Sequence, residues 1–226
     1  MKFNKIALAV GVLMVSGSAA AEFSANIGAT SNYVWRGLSQ TGDSAAISGG
    51  IDYAHDGGFY AGTWVSNVDF DDASGGQAEL DLYGGFGNEL DNGLGYDVGA
   101  IYYAYPAADK PDDKIDFAEI YGSLSYRWFT GGINYTVYKE DSDADTGDVY
   151  YFINGATDIA QGWGVGGTIG YYDFRKDSSY THFQLDVTKS AGDFGDFTLS
   201  LSKVADRDLG VDEDLLAFVS WGKTFD

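Results

Sequence analysis

Few residues in this 226-residue chain could carry covalent or metal chemistry. Cysteine is absent, which removes thiolate nucleophiles, thiolate metal sites, iron–sulfur clusters and disulfides together. Of two histidines, His55 precedes Asp56, Gly57 and Gly58, the composition of a solvated turn. His182 has Ser178 and Ser179 just upstream, yet a serine–histidine–acid hydrolase needs its nucleophile and base in hydrogen-bond reach. Asp141, Asp143, Asp145, Gly147 and Asp148 have the look of a calcium loop without its closing glutamate or its flanking helices, so an EF-hand is rejected. Gly164, Gly166 and Gly167 are followed by no lysine and no helix, so they do not cradle phosphate. No enzyme and no cofactor is expected.

The elements that carry these residues are strands. From Tyr180 to Thr188, Phe183, Leu185 and Val187 fall on one face, with His182, Gln184, Asp186 and Thr188 on the other. Phe197, Leu199 and Leu201 oppose Thr198, Ser200 and Ser202 in the same way. Alternation at period two marks a strand with one apolar and one polar face. Helical spacing persists nowhere, and the density of glycine and of β-branched and aromatic residues opposes helices. Twelve strands are expected, at about 23–34, 45–54, 59–68, 78–88, 94–105, 116–128, 132–139, 149–159, 163–174, 180–189, 196–204 and 214–225. No linker divides them, so residues 22–226 read as one all-β domain.

Residues 1–21 read as a secretory signal peptide. Lys2 and Lys5 precede the apolar run Ile6 to Val15, and Ala19, Ala20 and Ala21 offer a cleavage site before Glu22. That run is about half the length of a spanning helix.

The connections are asymmetric. Short turns such as 55–58, 91–93, 129–132 and 161–162 alternate with long acidic segments such as 69–77, 106–115, 140–148 and 205–213. Placing every long loop at one end gives an up-and-down antiparallel sheet, and closing it removes its edges. Transmembrane β-barrels of the outer membrane have this asymmetry and use strands of this length. Tyr33, Trp35, Tyr126, Trp128, Trp163, Tyr171 and Trp221 would form interfacial girdles. A secreted β-sandwich or soluble ligand-binding barrel is the alternative, but the small polar face would fill a dry core poorly. The last strand alternates Ala217, Val219, Trp221 and Phe225, an aromatic ending with Asp226 after it.

Charge narrows the function classes. Asp and Glu number 34 against 13 Lys and Arg, for a formal charge of −21, which excludes nucleic acid as a partner. With 45% apolar and 16% aromatic residues, the chain is no disordered acidic protein.

The segment Ser31 to Thr41 (SNYVWRGLSQT) resembles the opening of the TorF-family porins, an uncharacterised family of Gram-negative exported proteins. Gly49 to His55, Gly58 to Val68 and the terminal Gly222 to Phe225 are similar to it too. The resemblance implies an outer-membrane barrel and supplies neither a substrate nor catalytic residues.

By strand phase, the pore-lining candidates are Asp52, Glu79, Asp81, Asp97, Glu119, Arg127, His182 and Asp186, with Tyr83, Tyr103, Tyr121 and Tyr138 also inward. The expected function is passive diffusion of small solutes, favouring cations or neutral polar molecules because the wall and rim are acidic. The rival is a closed structural or adhesion barrel whose acidic loops bind a partner. Asp69, Asp71 and Asp72; Asp109, Asp112 and Asp113; Glu140 to Asp148; and Asp206, Asp208, Asp212, Glu213 and Asp214 form the external rim. That rim could meet divalent cations or bridge through them to lipopolysaccharide, beside outer-membrane lipid.

Overall fold

The computed structural model describes residues 22–70, 77–106, 115–141, 145–175, 178–205 and 214–226. The expected signal peptide therefore lies outside the described residues, as do most of the rim acids. The barrel strands are β1 (Glu22–Thr30), β4 (Ala46–Ala54), β5 (Phe59–Asn67), β6 (Ala78–Glu89), β7 (Leu94–Ala104), β8 (Phe117–Tyr126), β9 (Phe129–Lys139), β10 (Val149–Ala160), β11 (Trp163–Asp173), β12 (Ser179–Ser190), β13 (Asp196–Val204) and β14 (Leu216–Phe225). Each is antiparallel to its chain neighbours, and β1 closes the barrel by pairing with both β4 and β14. Two short strands, β2 (Val34–Trp35) and β3 (Leu38–Ser39), make a separate hairpin.

The alternation sets which face meets which solvent. Ile51 is 60% exposed and Leu185 65%, whereas their neighbours Asp52 and Asp186 are buried. Val98, Ile120, Ile153, Ile169 and Val219 share the exposed outer face. An outer belt of this kind is stable only against hydrocarbon, and closure satisfies every strand edge that lipid could not. At the short-turn rim, Phe59, Trp128, Phe129, Trp163 and Phe225 project outward; towards the other rim, Tyr135, Tyr138, Tyr151 and Tyr171 do so. These are two aromatic girdles.

Five expectations needed correction. The first strand ends at Thr30 rather than residue 34, and Tyr33 and Trp35 belong to the inward hairpin, not to a girdle: Tyr33 is buried. The eighth-to-ninth connection is a tight turn at Arg127 and Trp128, so β9 begins at Phe129 where a turn was expected. Arg127 is exposed in that turn, with φ of 58° and its guanidinium 5.2 Å from the Tyr126 ring, and does not face the lumen. Tyr138 also faces outward. Glu119 pairs with Thr136 while Ala118 pairs with Tyr138, so Val137 is a bulge residue that flips the phase of the residues after it.

Candidate functional site in the barrel lumen

The connection from β1 to β4 folds into the barrel from the long-loop rim. Its centre is the β2–β3 hairpin, paired Val34 with Ser39 and Trp35 with Leu38. Arg36 and Gly37 form the two-residue turn with φ of 47° and 91°, both positive as a type I′ turn requires. Glycine is needed at the second position on two counts. Besides its φ, a Cβ there would lie 2.6 Å from His182 Cβ and 3.1 Å from Val204 Cγ2. The base is tied by short polar bonds: Ser39 Oγ donates to Asn32 Oδ1 at 2.7 Å, Asn32 Nδ2 to Asp43 Oδ1 at 2.6 Å, and Thr41 Oγ1 to the Ser44 carbonyl at 2.6 Å.

The hairpin drives Arg36 into the wall. Its guanidinium donates from Nη1 to Glu119 Oε1 at 2.8 Å and from Nη2 to Oε2 at 2.6 Å. Arg36 is 8% exposed and Glu119 1%, so this is a buried bidentate pair. The guanidinium carbon sits 4.2 Å from the Trp35 and Tyr150 ring centroids and 5.0 Å from that of Tyr172, within cation–π range. Asn134 Nδ2 donates to Glu119 Oε2 at 3.1 Å, and Tyr150 Oη bonds His182 Nε2 at 2.8 Å. To one side Tyr33 donates to Glu79 Oε1 at 2.7 Å, and Trp35 packs edge-on against Tyr103, Phe117 and Tyr172. The hairpin therefore narrows the long-loop half of the lumen and is held there by charge, aromatic contact and hydrogen bonds.

Nearer the short turns the wall is also polar. Tyr83 donates to Asp52, which also accepts from Asn26 Nδ2 at 3.2 Å. Tyr60 donates to Asp97 Oδ1 at 2.7 Å and touches Tyr121 Oη at 2.5 Å. Ser200 and Gln184 donate to Asp186 Oδ1 at 2.6 and 3.0 Å. The large rings lie flat on the wall because the neighbouring strand offers glycine beneath them. A Cβ on Gly62 would sit 2.6 Å from Tyr83 Cζ, one on Gly85 2.6 Å from Tyr60 Cζ, and one on Gly99 2.5 Å from Tyr121 Cζ. Gly99→Val should accordingly cost about 1–3 kcal/mol by overpacking, measured by urea unfolding of the refolded barrel. Tyr121→Ala in that background should return part of the loss, and strict additivity would show that ring and glycine are not coupled.

Of the eight pore-lining candidates, Asp52, Glu79, Asp81, Asp97, Glu119, His182 and Asp186 are buried side chains on the inner face. They do not form one cluster. Glu79, Asp81, Glu119 and His182 stand around or near the hairpin level, Asp52, Asp97 and Asp186 nearer the short turns. Arg127 is elsewhere, and the cation that meets Glu119 is Arg36. Sequence reasoning missed that residue, although an Arg-Gly pair flanked by Val-Trp and Leu-Ser is a two-residue hairpin signal. Among the described residues no three His, Asp or Glu side chains gather as a metal site. Of the rim acids, Asp148 pairs with Lys139 at 2.7 Å; Asp71, Asp72, Asp109, Asp112, Asp113, Asp143, Asp206, Asp208, Asp212 and Glu213 lie outside the described residues.

Comparison with known proteins agrees with this architecture. The family model described as "Bacterial protein of unknown function (Gcw_chp)" matches residues 15–213, so the chain belongs to that family. That description, rather than the TorF name, is what the match carries. No curated protein matches the chain. Among solved structures, the KdgM porin superposes with a TM-score of 0.60 at 8% identity, over 90% of this chain and 98% of that one. KdgM porin in complex with disordered oligogalacturonate gives 0.58 at 7% identity, over 92% and 99%. The COG4313 outer membrane channel from Pseudomonas putida F1 gives 0.59 at 10% identity, over 96% and 100%. The shared feature is the fold, that of outer-membrane barrels. With its apolar outer belt and closed edge, the protein is a resident of the outer membrane.

Proposed function

We propose that this member of the Gcw_chp family is a channel for passive diffusion of small solutes, favouring cations or neutral polar molecules, with residues 31–45 as its constriction. The observation that carries this reading is the inner wall. A barrel needing only stability would fill its whole interior with apolar side chains, whereas away from the aromatic packing around the hairpin this one lines it with Asp52, Asp97 and Asp186 and lays its tyrosines flat over glycines. Among the described residues Arg36 is the cation clamped in the lumen, and Glu119 neutralises it. The remaining carboxylates raise the local cation concentration and oppose anions. KdgM is described with oligogalacturonate, a polyanion; an acidic wall suits a different solute here. The resemblance of Ser31 to Thr41 to the TorF-family porins supports the channel reading as well.

Reversal potentials of the refolded protein in a planar bilayer under a salt gradient test this. Cation-side values that shrink as salt rises are expected, because the rim field is screened beyond about 8 Å at physiological ionic strength. Anion selectivity would contradict the charge assignment. A second reading, the closed structural or adhesion barrel with partner-binding acidic loops, is favoured by the buried Arg36–Glu119 pair. Lack of conductance in both the native chain and Arg36→Ala would establish that reading instead.

A further inference from the structure

Arg36 is held as a protein holds a cationic ligand. Glu119 takes both edges of the guanidinium fork, Asn134 orients that carboxylate, and the rings of Tyr150 and Tyr172 face the charge at 4.2 and 5.0 Å. These four residues belong to β8, β9, β10 and β11 and not to the hairpin, so the cage persists if the hairpin moves. Beside it, two buried polar atoms, Tyr180 Oη and His182 Nδ1, find no hydrogen-bond partner among the described residues. The Tyr180 ring lies 5.9 Å from Tyr172 and 6.4 Å from His182.

Energetics make the cage a switch. If the hairpin withdraws alone, Glu119 is left as an uncompensated buried charge, which is strongly unfavourable. If another cation takes Glu119, that penalty disappears and the hairpin can leave. We propose that Glu119, Asn134, Tyr150 and Tyr172 form a binding subsite for guanidinium-bearing solutes, occupied by Arg36 as an internal ligand, and that such a solute opens the constriction by replacing Arg36. A planar fork matches the bidentate carboxylate and stacks on tyrosine, which a compact, strongly hydrated ammonium does not. Competition from Arg36 lowers the apparent affinity of the native chain by the fraction of barrels in which the cage is free. The inference deepens the channel reading and rests on it for transport, while the binding step is measurable without conduction.

The test uses the full chain refolded in detergent and titrated with methylguanidinium, with the unfolding midpoint followed as loss of the compact, heat-modifiable band. Arg36→Ala should be stabilised saturably, because a ligand bound only to the folded state raises its stability as concentration passes Kd. Methylammonium should require roughly tenfold more, about 1.4 kcal/mol weaker binding, and sodium chloride at equal ionic strength should have no such effect. The double variant Arg36→Ala with Glu119→Gln should not respond. An equal response in single and double variants, or equal potency of methylammonium, would overturn the subsite. Should Arg36→Ala fail to refold, the native chain decides. Methylguanidinium should then accelerate hydrogen exchange across residues 31–45, and unchanged exchange would sink the proposal. Binding without bilayer conductance would count against the channel reading alone.

Discussion

Glu119→Gln should release the inward hairpin. The substitution leaves the Arg36 guanidinium buried against a neutral amide, and removing one partner of a buried ion pair costs about 3–5 kcal/mol. Arg36 has an escape open to few buried charges, because its hairpin is a connection rather than a barrel strand. Withdrawal towards the rim would rehydrate it at the cost of the Tyr33–Glu79 bond and the aromatic contacts of Trp35. The loss should therefore appear as local opening more than as collapse of the barrel. Hydrogen exchange across residues 31–45 should rise steeply while the strands stay protected, and single-channel conductance should increase. Retained protection of that segment would mean that the aromatic contacts, not the ion pair, hold it.

Leu185→Arg should destabilise the barrel by about 2–4 kcal/mol, whereas Gln184→Arg should be nearly neutral. Leu185 stands in the middle of β12, 65% exposed on the outer face, where hydrocarbon would have to solvate the new charge. Gln184 is on the inner face, where its amide already donates to Asp186, and an added cation there meets carboxylates. Urea unfolding of both variants in lipid measures the difference. Equal losses would place the strand register off by one residue, since a single slip exchanges the two faces.

The mid-strand phases were legible because a period of two is local. Asp52 against Ile51, Asp97 against Val98 and Asp186 against Leu185 needed no knowledge of neighbouring strands. Two errors of detail came where the chain leaves that period. Val137 reverses the phase of Tyr138 through a bulge that exists only opposite Ala118 and Glu119. Arg127 ended in a turn because β9 starts at Phe129, ahead of the glycines read as a turn. The pairing of β8 with β9 decides both, and alternation read along one strand does not show it.

The same division holds for the site. Alternation, loop asymmetry and composition were enough to determine a closed, membrane-facing barrel with acids on its inner wall, because each depends on residues close in sequence. What Arg36 does was decided only by the tertiary structure. It lies 83 positions from Glu119, and its other neighbours Tyr150 and Tyr172 come from two further strands. A charge is buried where geometry brings it an opposite charge at hydrogen-bond distance. In a barrel that meeting happens across the lumen, a distance that closure creates and that sequence separation does not record.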